Sequence, residues 1–321
     1  MQSIFKRTLV AAALALTVLA SHAQQWPSRP ITIVVPFPPG GFNDTLARTL
    51  AAELPKVLGQ PVVVDNKPGG NSVIGTEFVA KAAPDGYTLF IGATPMAVVQ
   101  HLYKTSFDAK KDFTAITIGG ITQNVLVARN GLKASSVKDL LALAKAEPGK
   151  LNYASTGNGS SNHLAFELFK SISGTSLTHI PYKGSGPAVI DLAAERVDVM
   201  FNLIPNVMEQ VKAGRIKAIA ISGEQRSSLV PEIPTVAESG LPGFGFSVWI
   251  GVLGPAGMPK PIVDRLNAEI VKIVTSPEVK ERFAKQGVEV APTTPEQFGA
   301  FVKAEADRWG KVVRESGIKA D

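Results

Sequence analysis

The chain has 321 residues, of which 45% are hydrophobic and none is cysteine, and it carries a formal net charge of +6. That apolar share can fill a large core, and the missing cysteines exclude disulfides and thiol chemistry. The surplus of positive charge is modest, with no dense Lys/Arg run interleaved with aromatics, so nucleic acid is not an expected partner.

The first segment reads as a secretory signal. Lys6 and Arg7 precede an uncharged run, Thr8 to Ala20, and then Ser21-His22-Ala23, a small-x-small cleavage site. Cleavage is predicted after Ala23, with delivery to the periplasm. The apolar run is shorter than the ~20 residues a membrane span needs. No cysteine follows to carry a lipid. Without Lys6 and Arg7 the chain keeps 31 basic residues against 27 acidic ones.

An apolar run, Ile31 to Val35, leads into Pro36-Phe37-Pro38-Pro39-Gly40-Gly41-Phe42-Asn43-Asp44, and a helical pattern from Thr45 to Leu58 leads out. Proline fixes φ and removes backbone donors, while glycine lets a backbone approach a ligand. Strand, rigid glycine turn and helix N-terminus together make an anion site, although the same residues suit an ordinary strand–helix connection. Asn43 or Asp44 can cap the helix, and Pro55 is expected to kink or shorten it. Pro61 to Asp65 reads as a strand, Lys67 to Ser72 as a second glycine loop, and Ile74 to Ala82 as a helix. Tyr87 to Gly92 is a third strand with Thr94-Pro95 at its tip. Short apolar strands alternating with helices predict a parallel sheet covered on both faces.

Two β-type runs, Phe113 to Ile118 and Asn124 to Ala128, flank Gly119-Gly120 and suit a chain crossing between lobes. Ser136 to Ala146 is a helix. The opening pattern then recurs. Leu151 to Ala154 is a strand, Ser155-Thr156-Gly157-Asn158-Gly159-Ser160-Ser161-Asn162 a polar glycine loop, and His163 to Ile172 a helix. Leu177 to Pro181 is a strand ending at Tyr182-Lys183-Gly184-Ser185, and Ala188 to Ala194 a helix. Val197 to Phe201 is a strand with Asn202 at its tip, followed by a helix from Asn206 to Ala213 and a strand from Ile216 to Ser222. Ser247 to Leu253 is a strand crossing back. One helix follows, stopping before Pro277, and Phe298, Phe301, Val302, Trp309 and Val312 mark another.

The expected fold is α/β, two lobes, each a doubly wound, mostly parallel sheet, joined by two crossover strands. Lobe 1 would hold residues 24–122 and 248–321, and lobe 2 residues 123–247. Ligands of such sheets bind beyond the carboxyl ends of the strands. That selects loops 36–44, 67–72, 92–96, 155–162, 182–186 and 201–206, which come from both lobes and meet naturally in a cleft.

Residues for turnover are not assembled. A Gly-x-Ser-x-Gly elbow is absent, since the stretches around Ser72 and Ser247 lack the last glycine. Ser160 and His163 would share one helix start, so His163 is expected to orient or cap and not to act as a base. His101, His163 and His179 are scattered, and metal-ligand, Walker and GxGxxG spacings are missing, so neither a metal nor a cofactor is expected. What the loops offer is donors: backbone N–H groups at Gly40 and Gly41, hydroxyls at Thr94, Ser155, Thr156 and Ser160, and the amides of Asn71 and Asn202. Lys183 adds a positive charge or is simply solvated. Phe37, Phe42 and Tyr182 are walls of the site or parts of the core. This inventory suits a carboxylate held by neutral dipoles and charge-assisted hydrogen bonds, without turnover.

Several stretches in fixed order resemble the Bug-type receptors, the periplasmic substrate-binding components of tripartite tricarboxylate transporters. They are Val35 to Gly41 with Asp44, Gly59 to Gly70, Pro84 to Leu89, Leu151 to Ser160, His163-Leu164, Pro181 to Gly184 and Pro234 to Gly240. The resemblance implies a Venus-flytrap fold, capture of a small organic carboxylate and delivery to membrane permease subunits. It implies that loops 36–43 and 155–160 reach the ligand carboxylate, partly through ordered waters, with Phe37, Gly40, Gly41, Ser155, Thr156 and Ser160 in the site; Gly157, inside the second loop, is a candidate beside them. Asp44 would cap or brace the first loop. Phe42, Asn43 and Gly70-Asn71-Ser72 fall where members differ and would set ligand choice. The protein would be a monomer. Two other roles suit the same fold: a ligand-dependent partner of a membrane sensor kinase, and an atypical secreted hydrolase, which the missing elbow disfavours.

Overall fold

The structure is a computed structural model that describes residues 26–316; the signal segment and its cleavage point lie outside them. Strand–helix units dominate. β1 (Ile31–Val35) leads to α1 (Phe42–Leu58), β2 (Val62–Asn66) to α2 (Val73–Ala80), and β3 (Thr88–Ala93) to α3 (Thr94–Val99). β4 (Phe113–Thr122) and β5 (Asn124–Arg129) follow, and then α4 (Val137–Ala146). The units resume with β6 (Asn152–Ser155) and α5 (Ser161–Ser173), β7 (Thr178–Pro181) and α6 (Ser185–Ala193), β8 (Val199–Leu203) and α7 (Ile204–Lys212). The chain ends with β9 (Ile216–Ile221), β10 (Val248–Pro255), α8 (Lys260–Thr275), α9 (Pro277–Ala284) and α10 (Pro295–Ser316).

The strands form two five-stranded sheets, ordered β2-β1-β3-β10-β4 and β7-β6-β8-β5-β9. β1 pairs in parallel with β2 and β3, and β6 with β7 and β8. These are the parallel units expected from the sequence, but each sheet as a whole is mixed. β10 runs antiparallel to β3 and β4, and β5 antiparallel to β8 and β9. The direction follows from connectivity: a chain that leaves one sheet at the end where it enters the next must run the opposite way through the second.

Each sheet is buried on both faces. On one side of the first sheet Ile31, Ile33 and Ile250 pack with Leu46 and Leu50 of α1 and Leu266 and Ile270 of α8. On the other, Val34, Phe90 and Trp249 pack with Met96 and with Phe298 of α10. The second sheet sets Leu126, Tyr153 and Phe201 against Phe166 and Phe169 of α5, and Val125 and Met200 against α6 and α7. The cluster around Phe201 also contains Ala97 and Val98 of α3 and Trp309 and Val312 of α10. So α3 and α10 belong to the cores of both sheets.

Several elements differ from the periodicity reading. α1 begins at Phe42, three residues early, because Gly41 at its N-cap has extended backbone that admits the helix without a capping side chain. The tip at Thr94-Pro95 is the first turn of α3, which starts with proline where its missing N–H costs nothing. Pro277 likewise stops α8 by opening α9, with Ser276 in extended conformation between them. Pro55 is accommodated inside α1, which ends at Gly59 in the left-handed region (φ 72°).

Candidate ligand cleft between the two sheets

Parallel pairing puts the N-termini of α1, α2 and α3 at one end of the first sheet, and those of α5, α6 and α7 at one end of the second. Gln123 alone separates β4 from β5, and it joins these two ends. Two sets of helix starts are thereby turned toward one seam. Such starts carry partial positive charge and backbone N–H groups with no intrahelical acceptor.

Capping differs with position. The N-cap residues of α1 (Gly41), α2 (Ser72), α3 (Ala93), α6 (Gly184) and α7 (Leu203) provide no side-chain hydrogen bond. Only α5 in this group has a cap, from Ser160 to the His163 N–H. By contrast α4 starts at the far end of the second sheet and has a complete capping box between Ser136 and Asp139. Five of the six starts at the seam thus keep their donors free of side-chain caps, as does α8, which starts at the far end of the first sheet behind Pro259.

The loop after β1 is braced from below. Gly40 adopts φ +101°, a backbone region that favours glycine. Asp44 is buried in the first turn of α1 and accepts from Gly40 N–H (3.1 Å), Arg48 Nε (2.8 Å) and Asn66 Nδ2 (3.1 Å). Asn66 also donates to the Phe37 carbonyl (3.1 Å). The bond from Arg48, with those from Asn66 and Gly40, outweighs burial and holds the Asp44 carboxyl below the ordinary carboxylate range. Gly41 is exposed, Asn43 half-buried, and Phe37 partly buried against the first core. The Phe42 ring packs edge-on against Phe283 (centroids 4.7 Å apart).

The loop after β6 has its own scaffold. Ser155 is fully buried, with Oγ 2.6 Å from His179 Nε2 and accepting from Gly157 N–H (3.1 Å). Ser160 Oγ donates to the Gly157 carbonyl (2.7 Å), and Gly159 N–H donates to His163 Nδ1 (3.0 Å). The His163 and His179 rings stack at 4.1 Å, and Tyr153 stacks on His179 at 4.8 Å. Burial, with His163 alongside, pushes His179 down to about 4. Below the stack, burial would raise Glu167, but bonds from His163, Lys170 and Tyr153 bring it to about 2. Thr156 Oγ1 donates to Asn162 Oδ1 (2.6 Å), and Asn162 Nδ2 donates to the Phe201 carbonyl (2.6 Å).

The other selected residues divide. Asn202 is buried and donates to Ser185 Oγ (2.6 Å), while its Oδ1 accepts from Asn206 (3.1 Å). Thr94 is buried, its hydroxyl accepting from Trp249 N–H (3.2 Å). Tyr182 packs on the second sheet and donates to Asp191 (2.8 Å); burial and that carboxylate push it to about 12. Lys183 and Asn71 are exposed. Asn71 faces the opposite loop: a β-carbon placed on Gly159 would lie 3.6 Å from its Nδ2. The supporting residues Arg48, Asn66, Asn162 and His179 were not singled out from the sequence. A helical i,i+4 spacing relates Asp44 to Arg48, but the other three reach their partners only through strand pairing and helix packing.

A cavity of about 260 Å³ opens behind the seam, between Ile121, Phe246, Trp249, Phe301, Glu305 and Arg308. None of the loop residues above lines it. Arg308 closes it by bonding Glu305 (2.6 Å) and the Gly245 carbonyl (2.6 Å). Burial, opposed by Arg308, raises the Glu305 carboxyl. Two acidic side chains, Glu224 and Glu305, line it against one cation, a poor setting for an anion. The open helix starts therefore mark the better candidate site.

The tripartite tricarboxylate transporter family receptor (TctC) pattern matches residues 46–318. Protein BugT of Bordetella pertussis is 42% identical over 300 residues, 92% of each chain. A solved structure of R. palustris Rpa4515 with adipate is 36% identical, with a TM-score of 0.72 over 92% of this chain and 99% of that one. Another, MatC (Rpa3494) from Rhodopseudomonas palustris with bound malate, is 33% identical, with a TM-score of 0.69 over 90% of this chain and all of that one (100%). With its two sheets and the helix starts turned toward one seam, and on these matches, the chain belongs to the tripartite tricarboxylate transporter receptor family and is a substrate-binding receptor.

Proposed function

We propose that the chain captures a small organic carboxylate at the seam and hands it to membrane permease subunits of a tripartite transporter. The observation that carries this reading is the pairing of uncapped helix starts on the two sheets, an arrangement that leaves N–H donors for an anion. The adipate and malate in the two similar structures support the ligand class. On this reading one lobe comprises residues 24–122 and 248–321 and the other 123–247, with the leader removed after Ala23 in the periplasm and the mature chain a monomer. Phe37, Gly40, Gly41, Phe42, Asn43, Asn71 and Thr94 face the ligand from one side. Ser155, Thr156, Gly157, Ser160, Tyr182, Lys183 and Asn202 face it from the other, and Asp44 and His163 hold the two loops.

Titration calorimetry with adipate, malate, succinate, citrate, amino acids and aromatic acids tests the ligand class. At least one acid is expected to bind with one site per chain. Gly40→Ala, which strains a left-handed backbone position in the loop, is expected to weaken that acid by about tenfold. A panel in which nothing binds overturns the reading.

A further inference from the structure

Most polar side chains around the seam have spent their hydrogen bonds inside their own lobe. Thr156, Asn162 and Asn202 bond one another or Phe201 and Ser185, Ser155 bonds His179, Ser160 bonds Gly157, and Thr94 bonds Trp249. Among the described residues, three buried side chains on the segments bordering the seam have not, one of them Trp249, whose ring lines the cavity already described. Both the Nδ2 and the Oδ1 of Asn124 lack any partner, as does the hydroxyl of Ser72.

Asn124 is wholly buried and is the first residue of β5, directly after the crossing at Gln123. It lies opposite Leu203, at the ligand end of the second sheet. Its backbone is paired on both sides with Ser222, through N–H to Oγ (2.9 Å) and carbonyl to N–H (2.8 Å), so only the amide is left over. It alternates with Leu126 and Ala128, whose cluster includes Ala97 and Val98 of the opposite lobe. Ser72 is 2% exposed and sits at the uncapped start of α2 in the left-handed region (φ 80°), next to Asn71. Holding a non-glycine residue there is strained, and strain of this kind gathers at ligand sites. A buried amide with both ends unpaired is costly and rare in a native protein, and a ligand that pairs it recovers the loss.

Building on the carboxylate-receptor reading above, we propose that Asn124 and Ser72 read the part of the ligand beyond its carboxylate, and that this part carries a hydroxyl. The chemistry selects the group. Asn124 presents a donor and an acceptor side by side, and Ser72 a hydroxyl that does both. A second carboxylate could pair only the amide N–H and would leave Oδ1 unpaired. A hydroxyl accepts from Nδ2 and donates to Oδ1. The receptor is therefore specific for hydroxy acids over acids of the same skeleton without the hydroxyl, as expected where a missing ligand group strands buried polar partners.

The test is calorimetry with matched pairs: malate and succinate, citrate and tricarballylate, 3-hydroxybutyrate and butyrate. In the wild type the hydroxy member of a bound pair is expected to bind at least about tenfold tighter. Asn124→Leu, which removes the unpaired amide, is expected to melt no lower than wild type and to shrink that ratio below about threefold. Ser72→Ala is expected to shrink it in part. Should Asn124→Leu fail to fold, the side-chain amide resonance of Asn124 in the wild type decides: it should shift with the hydroxy acid and stay with the plain one. Equal affinities within every bound pair, a preference that survives both substitutions, or an unmoved amide resonance would overturn the proposal while leaving the carboxylate reading intact. If no acid of either kind binds, the carboxylate reading itself fails.

Discussion

His179 ties the protonation state of the protein to the loop after β6. Its Nε2 meets Ser155 Oγ, and its ring lies between Tyr153 and His163. Glu167 and Lys170 complete the charged surroundings. In the unfolded chain the ring takes up a proton near its ordinary value of about 6.5, in the folded one only at about 4. Between those values the unfolded state binds more protons, so the contribution is intact above about pH 6.5 and is lost as pH falls toward 4. Urea unfolding at about pH 7 and about pH 4.5 should differ by about 2 kcal/mol, a figure reduced for the partial exposure of the ring, and His179→Gln should flatten the difference. An unchanged profile in that variant would remove His179 as the group responsible. From the sequence His179 was one of three scattered histidines. It joins His163 because the parallel register sets Tyr153 against His179, a relation no local pattern encodes.

Helix starts are legible to the extent that their caps are. Ser136 with Asp139 three residues on is a local signal, and α4 begins where it says. At Gly41 and Gly184 no capping side chain marks the boundary, and the periodicity reading placed both α1 and α6 three residues too late. The missing signal and the open donors have one cause: a side chain that capped the helix would occupy the N–H groups proposed for the ligand. Ser136→Ala should cost about 1 kcal/mol in urea unfolding, the worth of a cap, while leaving carboxylate affinity unchanged. A fall in affinity would mean that α4 is coupled to the cleft.

Across the whole molecule, a polar clasp spans the seam beside the crossing strands. Glu289, paired through its backbone with Ile121 at the end of β4, accepts from the hydroxyls of Ser227 and Ser228 (2.9 Å for the latter) and from Ser228 N–H (3.3 Å), all beyond β9. Nearby, the Gly287 carbonyl accepts from Thr122 Oγ1 (2.8 Å), and a β-carbon on Gly287 would run into Pro205 at the start of α7. Glu289→Ala leaves the buried Ser227 O–H without its acceptor, although its oxygen keeps the bond from Leu229 N–H, and is expected to cost about 1–3 kcal/mol in unfolding. It should also enlarge the radius of gyration of the ligand-free protein in small-angle scattering, because one of the contacts between the sheets is gone. An unchanged radius would place the clasp within a rigid part of the hinge. The sequence by itself determined the α/β class, the repeated strand–glycine–helix units, the two crossings and the lack of catalytic spacing, because each is written in local periodicity, glycine and proline placement, or motif spacing. Only the tertiary structure decided which side chains at the seam still lack partners. Asn124 and Asn202 look alike in the sequence, each an amide at a strand end. Packing supplies Asn202 with Ser185 and Asn206 and leaves Asn124 buried with nothing, because hydrogen-bond satisfaction depends on which strands and helices meet, and that is settled by the fold as a whole.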